Sequence, residues 1–431
     1  MLLLSKSMNL LAVLALLAGE LCGAAEPAGP KPRPPTRDAM KQALDRLKQR
    51  QPRLPVPPIS ADDKEKAGGD AKKLVNNGRM RNHYLSEGFR KGFSRDKDPQ
   101  MTLDYPFTVE FFWIASRVNN CHYCLGHQEN KLLTAGDSED RIAALDCDWS
   151  VFTDKERAAF AFALKLSLEP EKIGPQDVEA LGKFYPPKTI LEIAFDVAAY
   201  NAMNRWTDAL GIPQEDHRSF ITPTPAALAP KTSLVAPQGP RDRGPLETRS
   251  ETLARLDAAR QRKAVLPLAD EADARKLLSE ELAKQPIANW VRLLANFPVH
   301  GKARIEGLIA VQTKGKLPPQ LKAEMDWAAA REDRAWYALS LAKARLAALG
   351  WSEDQIFALD EAEAKLPAGE QAAVRFARKL TSTPQVIVDE DIAELRKHFG
   401  DFEVAEIVHH ITQAAFLDRV TEAAQLPLDV K

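Results

Sequence analysis

Eighteen residues, Glu110 to His127, read EFFWIASRVNNCHYCLGH and hold a Cys-x-x-Cys pair, two histidines and an upstream carboxylate. A Cys-x-x-Cys at a helix start sets two sulfurs within disulfide reach. The partial positive charge of the helix N-terminus lowers the thiol pKa, so that a thiolate is available near neutral pH. His127 follows Cys124 by three residues, one helical turn on, where its imidazole can take the thiol proton. Glu110 precedes Cys121 by eleven residues, about three turns, and would share that face if the helix ran unbroken. Asn119-Asn120 are the residues that would break it. Thiolate, base and carboxylate form the activated nucleophile that peroxide reduction needs. The thiolate attacks a peroxide oxygen and becomes a sulfenic acid, and the second thiol condenses with it to a disulfide.

Other chemistries compete for the same residues. Cys121, Cys124 and His127 are three zinc ligands; a structural site needs four, and no second Cys/His cluster supplies the fourth, so no metal is expected. A purely structural Cys121–Cys124 disulfide would close a loop too small to stabilise much. Glu110 is either catalytic or a buried scaffold carboxylate. His122 reads as an exposed spectator, Cys147 as a passive thiol, and His409-His410 as surface or packing residues. No organic cofactor is implied: no Gly-rich phosphate loop follows a strand, and Leu125 after Cys124 rules out haem attachment.

The elements that position these groups read as helices. Met40, Leu44 and Leu47 recur at helical spacing within Thr36–Gln51, as do Ala158, Phe162 and Leu166 within Asp154–Leu166. Lys188–Leu210 is a further long amphipathic pattern, and no stretch alternates as a strand would. The 431 residues are too many for one ordinary core. A hydrophobic fraction of 45% and a charged fraction of 28% are those of a globular protein. The net charge of −1, from 59 basic and 60 acidic residues, argues against a nucleic-acid partner.

Residues 1–25 read as an export signal: Lys6 is the positive flank, Leu10–Leu17 the apolar core, and Gly23-Ala24-Ala25 the cleavage site. That run is too short for a stable membrane span, so an exported protein, periplasmic or extracellular, is expected. A Pro-rich N-terminal strap occupies 26–72, one domain 73–221, a Pro-rich linker 222–246 and a second domain 247–431.

Sliding the sequence by 214 positions superposes long stretches of the two domains without a gap. Glu110 meets Glu324, Trp113 meets Trp327, Tyr123 meets Tyr337, Gly136 meets Gly350, and Arg205 meets Arg419. Both tryptophans therefore read as core packing. The same register sets Ala335 against Cys121, Ala338 against Cys124 and Leu341 against His127. The second copy cannot do thiol chemistry.

The Cys-x-x-Cys with its following histidine, preceded by Asn-Asn on an all-helical repeat, resembles the AhpD-like alkylhydroperoxidase / carboxymuconolactone decarboxylase superfamily. The resemblance covers the first repeat in its motif and the second in its scaffold. It implies an all-α fold of two tandem multi-helix bundles forming a pseudo-dimer, and a tendency to homo-oligomerise. It implies Cys124 as the peroxidatic cysteine, Cys121 as the resolving one, and His127 with Glu110 as the proton relay. The family histidine usually lies four residues after the second cysteine and the glutamate twelve before the first; here His127 lies three after, and Glu110 eleven before. The expected activity is reduction of a hydroperoxide, with electrons returned by an external dithiol. Two alternatives stand beside it: an exported structural or interaction protein with a vestigial redox motif, and a carboxymuconolactone decarboxylase-like enzyme, whose branch is not organised around a cysteine pair.

Overall fold

The computed structural model describes residues 31, 33–70, 74–92, 96–220, 222–237, 243–361 and 365–429; the export signal expected at 1–25 lies outside them. The described chain is all-helical, and its only β-type pairing is an isolated bridge between Thr36 and Thr232. After α1 (Arg37–Arg46) and α2 (Asn76–Tyr84) come six helices of a first bundle: α3 (Tyr105–Val118), α4 (His122–Ala135), α5 (Glu139–Cys147), α6 (Asp154–Leu168), α7 (Pro175–Gly182) and α8 (Pro187–Ala209). Past the connecting segment lie α9 (Arg249–Arg260), α10 (Asn289–Leu294) and α11 (His300–Thr313). A second set of six follows: α12 (Pro319–Asp333), α13 (Trp336–Ala348), α14 (Glu353–Ala358), α15 (Ala368–Ser382), α16 (Asp389–Arg396) and α17 (Asp401–Ala423). Each helix of the second set begins 214 positions after its counterpart in the first.

Local chemistry sets these boundaries. Thr153 and Glu156 cap α6 reciprocally, and Ser352 and Gln355 do the same for α14. Prolines occupy the first turns of α3, α7, α8 and α12, where a missing N–H costs nothing. Gly136 ends α4 at φ 102°, a left-handed conformation that a side chain would strain. Asn120 breaks the chain between α3 and α4 at φ 55°, a role asparagine tolerates. Arg334, at the same point of the second set, adopts φ 49° and is held there by Glu247 and the carbonyls of Arg243 and Pro245.

The two halves pack through their longest helices. α8 lies against α17, with the Phe195 and Phe416 rings edge-on at 5.3 Å. Arg205 of α8 donates to the Thr381 carbonyl at 3.0 Å, across to the second half. The N-terminal strap is also built in. Met40 and Leu44 of α1 are fully buried against the first bundle, and Arg37 ion-pairs with Glu129 at 2.7 Å and Glu139 at 2.8 Å. Arg53 donates to the Asp208 and Ala209 carbonyls and reaches Ile387 and Asp389 of the second half. Among the described residues, no helix is long and apolar enough to cross a membrane.

Candidate functional site

The break at Asn120 starts a new helix, and Cys121 is its N-cap residue. Cys124 therefore falls in the first turn of α4, where backbone N–H groups and the helix dipole favour an anion. The C-terminal turn of α8 lies alongside. Its Thr207 hydroxyl sits 3.1 Å from Cys121 Sγ and 3.0 Å from Cys124 Sγ, so one side chain serves both thiols. The hydroxyl also donates to the Met203 and Asn204 carbonyls of its own helix at 3.1 and 3.3 Å, so its one proton is contested between those carbonyls and a thiolate, while its lone pairs can accept from a thiol.

The two sulfurs differ in environment. Burial works against ionising Cys121, but the Cys124 hydrogen bond, the Lys31 ammonium and the Thr207 hydroxyl outweigh it and hold this thiol below its usual range. Burial pushes Cys124 well up, and the neighbouring Cys121 adds to that. Lys31 is itself buried: its ammonium donates to the Asn120 carbonyl at 3.2 Å and pairs with Asp208. Arg50 stands 3.9 Å from the same carboxylate.

His127 projects from the next turn of α4. Its Nε2 lies 2.9 Å from Glu215, a residue of the loop that follows α8. Glu215 also accepts from the Tyr123 hydroxyl at 2.7 Å, the Asn76 amide at 2.8 Å and Arg218 at 3.0 Å. Burial opposes the charge on Glu215, yet the hydrogen bonds from His127, Asn76 and Tyr123 hold its carboxyl down, at about 2. Burial lowers the His127 imidazole in spite of that carboxylate. Near neutral pH the pair is thus a neutral ring donating to a carboxylate, which leaves Nδ1 free to accept a proton. Gly126 lets the loop come this close, because a Cβ there would sit 2.1 Å from Gln214 Nε2 and 2.8 Å from Phe220.

The structure brings Cys121 and Cys124 together on Thr207 and sets His127 one turn further along the same helix, against Glu215 and the Tyr123 ring. It does not bring Glu110 to them. Glu110 is 2% exposed and donates nothing to the dithiol; its carboxylate takes Arg141 at 2.8 Å, and Arg141 also holds Glu156 at 2.8 Å. Burial outweighs Arg141 and raises the Glu110 carboxyl to about 8. The reason is the break at Asn120, which ends α3 at Val118 and removes the continuous face that would have carried Glu110 to His127. His122 is buried, 5% exposed, against the expectation of a surface residue, with Nε2 3.0 Å from Asn120 Oδ1. Burial and the nearby cations Lys31, Arg117, Arg50 and Arg46 keep it neutral. Cys147 is a buried thiol donating to the Ala143 carbonyl at 3.2 Å. Thr207, Glu215 and Lys31 were not singled out by sequence. Two carried a signal in the 214-residue register: Thr207 meets Thr421, and Glu215 meets Asp429, which Tyr337 bonds as Tyr123 bonds Glu215.

The thiols are enclosed. Cys121 is 0% exposed and Cys124 2%, with Leu47 and Leu54 of the strap in the same apolar cluster. Among the described residues, no group of three or more His, Cys, Asp or Glu side chains could hold a metal ion.

No family model and no curated protein matches this chain. Among solved structures the chain is similar to a cysteine-to-alanine variant of the debrominase Bmp8 in complex with 2,3,4-tribromopyrrole. The identity is 17%, over 44% of this chain and 92% of that one, with a TM-score of 0.31. A likeness of that degree establishes neither family nor activity.

Proposed function

We propose that the protein is a thiol-dependent peroxidase that reduces hydroperoxides through the Cys121–Cys124 pair. The observation that carries the reading is the shared Thr207 hydroxyl, 3.1 and 3.0 Å from the two sulfurs at the start of α4. A dithiol tied to one hydroxyl, with one thiol held low and the other high, is poised to be oxidised in two steps. We take Cys121 as the attacking thiolate, since it has Lys31 beside it and the N-cap position. The resemblance to AhpD-like enzymes implies Cys124 for that role.

In the reaction, the Cys121 thiolate displaces an alkoxide from the peroxide and becomes a sulfenic acid. His127 is the proton carrier: its ring, held by Glu215, relays a proton to the leaving oxygen. The Cys124 sulfur then attacks the sulfenic sulfur, releasing water and forming the disulfide. An external dithiol returns two electrons and two protons. An exported location, periplasmic or extracellular, and a homo-oligomeric assembly belong to the same proposal.

Turnover of tert-butyl hydroperoxide with dithiothreitol as reductant tests it. Activity in the wild type that is lost in both Cys121→Ser and Cys124→Ser supports the reading, and equal rates in all three proteins would sink it. A second reading, a structural or interaction protein with a sealed dithiol, is favoured by one fact: neither sulfur is exposed beyond 2%.

A further inference from the structure

The second half has a polar cavity beside Ala338, the residue in register with Cys124. In the first half, Phe112 of α3 and Tyr200 of α8 stack face to face at 4.2 Å, filling the space between those helices. The 214-residue register replaces Phe112 by Asp326 and Tyr200 by Ala414. The plug is gone, and a carboxylate stands where an aromatic ring stood. A cavity of ≈ 20 Å³ results, more than a single water needs, walled by Asp326, Arg345, His410, Ala414, Asp418 and Ala338, the residue in register with Cys124.

Most of Asp326 is already committed. It accepts from His410 Nε2 at 2.7 Å, Gln312 at 2.9 Å and Arg345 at 2.6 Å. His410 Nε2 also reaches the Lys322 carbonyl at 3.2 Å. Facing a carbonyl and a carboxylate, that nitrogen carries a proton, and Nδ1 is the ring nitrogen left over. Nδ1 has no hydrogen-bond partner among the described residues, and neither do the two oxygens of Asp418. His410 is 2% exposed and Asp418 1%, so water at the surface cannot serve them. A buried carboxyl left without partners costs stability, and such groups mark a missing occupant.

We propose that this cavity binds a small protonated amine, of ammonium or methylammonium size, between Asp418 and His410 Nδ1. Burial and the neighbouring carboxylates Asp333, Asp326 and Glu422 push the Asp418 carboxyl well up in spite of Arg419, so a cation bound beside it would hold it ionised. An ionised Asp418 offers only acceptors, so the ligand must donate hydrogen bonds, and Arg345 is already paired with Asp326. The volume excludes anything much larger. The second half thus exchanged thiol chemistry for cation binding, and the assignment does not depend on the peroxidase reading.

Ammonium chloride titrated into the full chain tests this, with melting temperature and the proton–nitrogen spectrum of ¹⁵N-ammonium as readouts. Potassium supplies the same charge without donors, and tetramethylammonium supplies a cation that is too large. The expected result is a saturable rise in melting temperature with ammonium and methylammonium only, accompanied by a slowly exchanging bound ¹⁵N-ammonium signal. Asp418→Asn should weaken apparent affinity roughly tenfold, the loss of one charged acceptor. Ala414→Tyr, which refills the space as Tyr200 does in the first half, should abolish binding, and Cys124→Ser should leave it unchanged. No saturable effect in the wild type, an equal effect of potassium, or equal effects in the wild type and Ala414→Tyr would overturn the proposal and leave an ordered water as the occupant.

Discussion

His127 is held by Glu215, 2.9 Å away, and the two stand 88 residues apart in the chain. The contact replaces the sequence-near carboxylate Glu110 with one delivered by the loop after α8. It fixes the ring through Nε2 and leaves Nδ1 for the proton, the arrangement by which a carboxylate orients a histidine for acid–base work.

Removing that carboxylate should cost activity, and stability above pH 4.5. Glu215→Gln is expected to slow peroxide turnover at least roughly tenfold, since the histidine loses its orienting partner. The folded-state carboxyl of Glu215 sits at about 2, below the ordinary value of 4.5. Its stabilisation is therefore present above pH 4.5 and is lost as the pH falls toward 2. Acid unfolding followed by circular dichroism should show a shallower loss between those values in the Gln variant. A variant with unchanged turnover and an unchanged acid limb would remove Glu215 from the account.

Thr207→Val keeps the volume and deletes the hydroxyl shared by the sulfurs. The Cys121 thiol should then titrate at higher pH, because one donor to its thiolate is gone. Alkylation rate against pH reads this directly, and an unmoved midpoint would show that Lys31 and Cys124 suffice without Thr207.

Glu110 gives the opposite expectation. Its folded-state carboxyl lies at about 8, raised by burial above 4.5. It therefore stabilises the fold fully below pH 4.5, and that contribution fades as the pH rises through 8. Glu110→Gln should flatten the stability profile across this window and leave peroxide turnover intact. Loss of turnover with a native melting temperature would return Glu110 to the relay.

Access to the dithiol should be governed by the strap. Arg53 ties it to the Asp208, Ala209 and Ile387 carbonyls and to Asp389. Arg53→Ala is expected to raise the alkylation rates of Cys121 and Cys124 several-fold, because a buried guanidinium that satisfies several carbonyls holds its segment down. Unchanged rates would locate the entry path elsewhere.

The sequence carried the parts of this site that depend on local spacing. Cys121, Cys124 and His127 share one helix start, and helical periodicity alone sets them near one another. It also carried the all-helical fold, because the stripes of α6 and α8 are long and regular. What it did not carry was delivered through tertiary packing. Thr207 lies on a different helix, 83 residues from Cys124, and its match with Thr421 in the copy without cysteines marks a shared scaffold position and no thiol partner. Lys31 belongs to a Pro-rich stretch with no periodicity, and its burial follows from how the strap crosses the bundle. Glu110 was misplaced for a definite reason: a continuous helix was needed to carry it to His127, and Asn120 turns left-handed instead. His410 read as surface or packing because nothing local ties it to Asp326, 84 residues away.

The most direct test of the central claim is a single-turnover reaction of the reduced protein with limiting hydroperoxide, followed by mass mapping of its cysteines. One peroxide should be consumed per chain, with a disulfide between Cys121 and Cys124 and an unmodified Cys147. Sulfenic acid should be trapped on Cys121 in the Cys124→Ser variant. Peroxide left unconsumed, or oxidation confined to Cys147, would contradict that claim.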